Sequence, residues 1–304
     1  MCKKLCKFAA QMNKKDTIHR IWAYIRHHLT AWNTTGEGIH SPYLFRIVRF
    51  ILRDENSYYC FSEIERVRRR LLACTDELDV TDYGSAGSPE GKLIRRRVCD
   101  IAKRQLESPR MGQVLFRLVN FMGEEQKRPL EILELGTSLG VTTAYLASAD
   151  SRNHVMTMEG SEAVLRVAQG VWRERKLENI EWVSGNIDDT LYIYAREKLD
   201  VMFLDANHTY EATMRYVNFL LPRLDEKGVL AIDDIHYSRE MEQAWEEIKS
   251  DPRVTTTMDL YHMGLVFVDK HYLKRHYRIR IIDNCQLTFV ISTYRNIEIT
   301  TFLI

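Results

Sequence analysis

The sequence predicts an α/β protein: a mostly parallel sheet covered by helices, with a helical region in front of it. Three observations lead there. From residue 129 onward, short apolar runs alternate with helical stretches, namely PLEILEL, HVMTME, IEWVSG, DVMFLD, GVLAID, TTTMDLY and MGLVFV. Strands separated by helices of roughly 10–15 residues pair in parallel through crossovers. Residues 1–125 show no such alternation and read as helices broken by glycine-rich loops. Finally, with 45% hydrophobic and 28% charged residues over 304 positions, the chain can bury a sizeable core and is not disordered by composition.

Taken in order, Ile21, Tyr24, Ile25 and Leu29 recur at helical spacing, and the loop TTGEGIHSPY follows. Ser41 before Pro42 is an N-cap followed by a proline at the first helical position, so a second helix starts there. A third covers about 61–74. The loop DYGSAGSPEG precedes a fourth, expected from the same Ser88–Pro89 signal, and MGQVLFRLVNFM gives a fifth reaching residue 122. Seven strands fit inside 129–269. Beyond about residue 275 the chain turns β-branched and polar without a readable pattern. The expected organisation is a helical subdomain or lid at 1–108, a ligand-binding domain at 109–275 and a tail at 276–304. No internal repeat is present.

Charge narrows the function. Lys and Arg number 43 and Asp and Glu 42, a formal net charge of +1, which argues against non-specific nucleic-acid binding. The balance hides an asymmetry: residues 1–125 hold 22 basic and 15 acidic side chains, residues 126–304 hold 21 and 27. Arg66, Arg68, Arg69 and Arg70, with Arg95, Arg96 and Arg97, make two basic clusters on expected helices. Acidic neighbours at Glu63, Glu65 and Asp100 mark them as solvated faces. No stretch approaches the roughly 20 apolar residues of a membrane span. The basic start MCKKLCKFAAQMNKK lacks the apolar core of a secretory signal. Six cysteines without CxxC spacing are expected to be reduced thiols in a cytoplasmic protein.

The segment ILELGTSLGVTTAYLA, residues 132–147, ends an apolar strand and opens a helix around Gly136 and Gly140. One reading is a nucleophile elbow, since Gly136-Thr137-Ser138-Leu139-Gly140 matches G-x-S-x-G. Asp205 or Asp234, then His236 or His262, would follow in hydrolase order. That elbow, however, normally follows several earlier strands, and here the strand is the first. A dinucleotide site would need G-x-G-x-x-G, and Glu134 would repel a pyrophosphate at the helix N-terminus. The third reading is S-adenosylmethionine, which carries an ammonium and a sulfonium and no phosphate. The glycines would let backbone amides approach its carboxylate while Glu134 faces the cationic groups. A plain βα turn is the structural alternative. Glu159 closes the second strand, 23 residues past Gly136, where a carboxylate can accept both hydrogen bonds of a ribose diol. Asn186 and Asp188 follow the third strand and suit either an adenine edge or a helix cap.

Asp205 ends the fourth strand; Asp233 and Asp234 end the fifth, followed by His236. Neighbouring parallel strands lie about 5 Å apart, so these acids converge. Crowded carboxylates repel unless protonated or bridged by a cation, and oxygen ligands favour Mg²⁺. Capping of the helix near Ser238 is the alternative. His208, three residues past Asp205, is placed to remove a proton from an acceptor hydroxyl, or else only opens the next helix. His236 and His40 are weaker candidates. Met241, Trp245 and Ile248 recur at helical spacing and belong to the core.

Over about 110–269 the chain resembles the class I S-adenosylmethionine-dependent methyltransferases. ILELGTSLG resembles their first motif, Glu159 their ribose-binding acid, and FLDANH and LAIDDIH their later motifs. The nearest groups are O-methyltransferases of the catechol and macrolide type, and the GEGIHSPY and DYGSAGS loops resemble uncharacterised Bacteroidetes relatives. The resemblance implies a Rossmann-like sheet of seven strands in the order 3-2-1-4-5-7-6, the last antiparallel. By the same resemblance Glu134, Gly136, Thr137, Ser138, Gly140 and Thr142 line the methionine end, and Glu159 holds the ribose. Asn186, Ile187 and Asp205 complete the cofactor site. Asp205, Asp233 and Asp234 match the Mg²⁺ positions, although catechol-type enzymes have asparagine where Asp234 stands. A histidine at position 208 matches the macrolide type; catechol-type enzymes place lysine there. The expected function is transfer of a methyl group to an oxygen of a small-molecule acceptor, with His208 as base and Asp205 beside it. His40, Ser41, Asp82 and Tyr83 are expected in a lid. An RNA or protein methyltransferase, a non-catalytic cofactor-binding module and a Ser138 hydrolase are the alternatives.

Overall fold

The computed structural model describes residues 14–83 and 91–281. Its centre is one eight-stranded sheet made of β3 (Glu131–Leu135), β4 (His154–Glu159), β5 (Ile180–Ser184), β6 (Leu199–Leu204), β7 (Leu224–Asp233), β8 (Thr256–Asp259), β9 (Met263–Phe267) and β10 (Arg275–Arg278). The spatial order is β10-β8-β9-β7-β6-β3-β4-β5. Counted from β3, the first seven strands run 3-2-1-4-5-7-6, and β9 is antiparallel to both neighbours. This is the Rossmann-like order expected. The eighth strand, β10, pairs in parallel with β8 and lies across the boundary drawn at residue 275.

Strand periodicity explains why the sheet is buried on both sides, because successive side chains point to opposite faces. Ile132, Val155, Val201 and Val229 enter one core cluster. Their neighbours Leu133, Met156, Met202 and Leu230 enter the other. The crossover helices α6 (Val141–Ser148), α7 (Glu162–Glu174), α8 (Ile187–Tyr194), α9 (Tyr210–Leu220) and α10 (Arg239–Ser250) cover these faces.

The N-terminal region contributes α1 (Lys14–Thr30), α2 (Pro42–Ile47, continued by a π-helical turn at Val48–Leu52), α3 (Phe61–Ala73), α4 (Val98–Gln105) and α5 (Pro109–Gln126). Ser41 and Ser108 cap α2 and α5 through their hydroxyls, each followed by proline. One element differs from expectation. In place of a helix from Ser88–Pro89, a pair that falls outside the described residues, the chain forms an antiparallel hairpin of β1 (Glu77–Asp82) and β2 (Lys92–Arg97). Its register sets Glu77 opposite Arg97 and Asp79 opposite Arg95, and opposite charges across antiparallel strands stabilise the pairing. No local cue reveals that complementarity, since the two runs lie in different segments. The second arginine cluster therefore lies on a strand, with Arg95 bound to Asp79, Arg96 to Asp82 and Arg97 to Asp100.

Candidate active site

A cavity of about 530 Å³ opens over the carboxyl ends of β3 to β7. There β3 has neighbours reached from opposite directions, the place where open parallel sheets bind ligands. Gly136, Ser138, Glu159, Asn186, Ile187, Asp205, His208, Asp233 and Asp234 all line it. The N-terminal region supplies the opposite wall, including Arg20 of α1, Asp82 and Tyr83 at the hairpin, Arg96 of β2, and the turn Gln105-Leu106-Glu107 between α4 and α5.

The glycine loop is shaped by close approach. A Cβ on Gly136 would lie 1.9 Å from the carbonyl oxygen of Asp205, and its φ of +97° is one that side chains rarely adopt. Glycine thus lets the end of β3 sit against the end of β6, where the Asp205 N–H donates to the Leu135 carbonyl at 2.9 Å. Ser138 donates its N–H to Glu159 Oε2 at 2.8 Å, and Ser161 donates to Oε1 at 2.9 Å. Burial raises the Glu159 pKa, and these backbone donors only partly offset it.

Six non-glycine residues among those described have left-handed backbone, and three of them, Ser138, Asn207 and Asp234, line this cavity. Such conformations concentrate at binding and catalytic sites.

Asp205, His208 and Asp233 bring one ligand atom each within 4.8 Å of one another. His208 Nε2 lies 3.4 Å from Asp205 Oδ1. Both His208 Nε2 and Asp233 Oδ1 are buried without a hydrogen-bond partner. Glu107 joins the group: it accepts the Ser108 N–H at 2.6 Å and lies beside Asp233, and burial raises the pKa of both carboxyls. Burial first, then repulsion from Glu107 and Asp234, raises Asp205 and Asp233 well above the usual carboxylate range. The helices nearby do not use these groups as caps. Thr209 caps α9 and Ser238 caps α10, which leaves His208, Asp233 and Asp234 for the cavity.

Some expected residues stand elsewhere. Glu134 does not line the cavity; it is fully buried and accepts hydrogen bonds from Thr143 at 2.5 Å and Thr157 at 2.6 Å. Burial pushes its pKa to about 7 against those two bonds. Thr137 bonds Thr157 beneath the loop, and Gly140 packs against Ala168 and Trp172, its carbonyl accepting the indole N–H at 3.0 Å. Thr142 is buried in the first turn of α6. These residues support the loop and are not among the cavity-lining ones, because Glu134 and Thr137 bond Thr157 of β4 and Thr143 of α6 beneath it. Asp234 lines the cavity but is outside the converging trio, where His208 stands in its place. Ser138 donates its hydroxyl to Gln105 at 3.1 Å, and His236 is held by Glu242 and Asp259, so the hydrolase arrangement is not assembled there. Asn186 both borders the cavity and caps α8. Of the expected lid, Asp82 and Tyr83 line the cavity, whereas Ser41 caps α2 and His40 is exposed.

Sequence reasoning missed Glu107, Arg20, Arg104 and Tyr237. Glu107 directly precedes the Ser108–Pro109 helix start, which is the only signal that could have drawn attention to it. Arg68, read as a solvated cation, is buried and bonds both Glu65 and the Glu107 carbonyl, fixing the turn that carries Glu107.

Residues 133–235, from β3 through the acids after β7, match the family model described as a methyltransferase domain. That match covers about a third of the chain. Its sheet is similar to that of the S-adenosylhomocysteine-bound methyltransferase of Podospora anserina, at 14% identity, 75% of this chain and 96% of that one, with a TM-score of 0.51. An O-methyltransferase of Bacillus cereus in complex with S-adenosylhomocysteine gives 20% identity over 70% and 91% of the chains, TM-score 0.49. A Streptomyces achromogenes O-methyltransferase involved in tomaymycin synthesis gives 16% over 73% and 94%, TM-score 0.48. No curated protein matches. The matched segment thus spans the glycine loop, Glu159 and the acid–histidine cluster, while the hairpin and α1 to α5 lie outside it.

Proposed function

We propose that this methyltransferase moves the methyl group of S-adenosylmethionine to a hydroxyl oxygen of a small-molecule acceptor. One observation carries the reading: the Ser138–Glu159 pair and the Asp205–His208–Asp233 cluster face a single cavity. The solved relative from Podospora anserina is bound to the demethylated form of that donor. When bound, the donor supplies an electrophilic methyl on a sulfonium. Glu159, already oriented by two backbone N–H groups, keeps lone pairs for two ribose hydroxyls. The loop at Gly136 and Ser138 receives the methionine end, and Asn186 and Ile187 border the base. His208 removes the acceptor proton, and Asp205 orients the imidazole. The wall from the N-terminal region excludes water and fixes the acceptor in line, which supplies roughly 7 kcal/mol or more in favourable cases.

The residues also fit a divalent cation such as Mg²⁺. Two carboxylates and a histidine converge, and two of their ligand atoms are orphaned. Bound there, the ion would lower the acceptor's pKa. Asp205 and Asp233 would hold it, with either His208 as the third ligand or Asp234 in that place and His208 kept as the base. We read residues 1–108 as the cover, 109 to the end of β10 as the catalytic domain, and a reduced cytoplasmic setting from free Cys60, Cys74 and Cys99.

Calorimetric titration with S-adenosylhomocysteine tests the donor. One site per chain, lost in Glu159→Ala, is the expected result; no heat, or binding of NAD in its place, defeats the reading. Turnover unchanged after EDTA treatment removes Mg²⁺ from it.

A further inference from the structure

Helix α1 has two different sides. Ala23 and His27 are buried, and the Tyr261 hydroxyl donates to the Arg20 carbonyl at 2.9 Å, so this side is fastened to the edge of the sheet. The other side presents Ile18, Trp22 and Leu29, which are 54%, 67% and 73% exposed, with Trp32 at 79% just past the helix end. With half-buried Ile25, positions 18, 22, 25 and 29 form one stripe at helical spacing. Isolated exposed apolar residues are ordinary; a ridge of them on one helix marks a docking surface.

Charge identifies the occupant. Residues 1–36 carry Lys3, Lys4, Lys7, Lys14 and Lys15 against Asp16 as the one acidic residue before Glu37, while Arg20 lines the cavity and Arg26 pairs with Glu242. We propose that this stripe docks on an anionic lipid surface as the face of an interfacial helix, the lysine-rich sequence ahead of it contributing positive charge. Tryptophan and leucine enter the headgroup boundary, and lysines add attraction to anionic lipids. Pairing with a second copy would set two strongly basic segments against each other. Nucleic acid would use the cations but has no use for Ile18 and Leu29. Among the described residues no helix is long and apolar enough to cross a membrane, so the contact is with the surface. Because Arg20 of the same helix lines the catalytic cavity, docking would hold one wall of that cavity at the lipid boundary.

The test sediments the full-length chain with phosphatidylcholine vesicles, with and without phosphatidylglycerol. Pelleting only with the anionic vesicles, weakened by salt, is expected. Trp22→Ser combined with Leu29→Ser should reduce it about tenfold, and so should Lys3→Glu, Lys4→Glu and Lys7→Glu together, each with an unchanged circular-dichroism melt. No pelleting, or equal pelleting on neutral vesicles, overturns the proposal. So does a dimer in sedimentation velocity that the Trp22/Leu29 variant splits without any lipid binding. None of these readouts depends on the catalytic reading.

Discussion

Gly136 and Glu134 show how narrowly single residues are determined around the loop. Gly136→Ala sets a methyl group against the Asp205 carbonyl in a left-handed conformation, so the ends of β3 and β6 must separate. A stability loss of about 1–3 kcal/mol is expected from denaturant titration, along with loss of S-adenosylhomocysteine binding in calorimetry. Glu134 gives a different signature. Its folded pKa, about 7, lies above the ordinary carboxylate value, so its contribution is complete in mild acid and is lost as pH rises through 7. Glu134→Gln should therefore match the wild type near pH 5 and exceed it in stability near pH 8, by urea unfolding at both values. A Gln variant that is the weaker of the two at pH 8 would show that the fold favours the charged carboxylate and holds its pKa below the ordinary value. The glycine, the glutamate and the serine between the glycines were all legible as a ligand loop. That Glu134 serves the loop from beneath was not, because its partners Thr143 and Thr157 come from the next helix and the next strand.

Among the elements, α1 depends on contacts far away in sequence. His27 lies 3.1 Å from the Asp259 carbonyl, and His236 bridges Asp259 at 3.0 Å and Glu242 at 2.7 Å. Arg26 and His19 reach Glu242 from α1, Arg278 approaches Asp259, and the Tyr261 ring stacks on His236. Burial alone would lower the His236 pKa; hydrogen bonds to Asp259 and Glu242 overcome it and raise it to about 9. That stabilisation is complete below the unfolded value near 6.5 and is lost as pH rises through 9. Asp259, held well below its usual range against burial by the same bonds, acts oppositely, and its contribution disappears only in acid. Thermal melts should therefore fall between pH 6.5 and 9 for the wild type and fall clearly less between pH 7.5 and 9 for His236→Gln. The variant should also be less stable by about 3 kcal/mol, since a buried carboxylate loses its cation. The sequence around His236 suits a reactive residue and this structural role equally well. The hairpin makes the same point, as its cross-strand charges lie in segments that local reading treats separately.

For the whole molecule, ligand binding to the folded state alone adds stability by mass action, about 2.7 kcal/mol at a hundredfold excess over Kd. S-adenosylhomocysteine at that excess should raise the melting temperature by several degrees, and a smaller rise in Glu159→Ala checks that the gain comes through the cavity. A shift equal in both proteins would point to binding elsewhere.

By itself the sequence determined the alternation of strands and helices, hence the parallel sheet and the strand ends where the acids converge, while the strand order was implied by the resemblance alone. Alternation and parallel pairing follow from local periodicity and from connection rules that any such chain must obey. Tertiary structure decided what local chemistry leaves open: that Glu107 comes beside Asp233, that His208 lies within reach of both Asp205 and Asp233, and that β10 extends the sheet. Each depends on which distant segments share a desolvated space. There, burial changes which charges survive, and that follows from the packing of the whole chain.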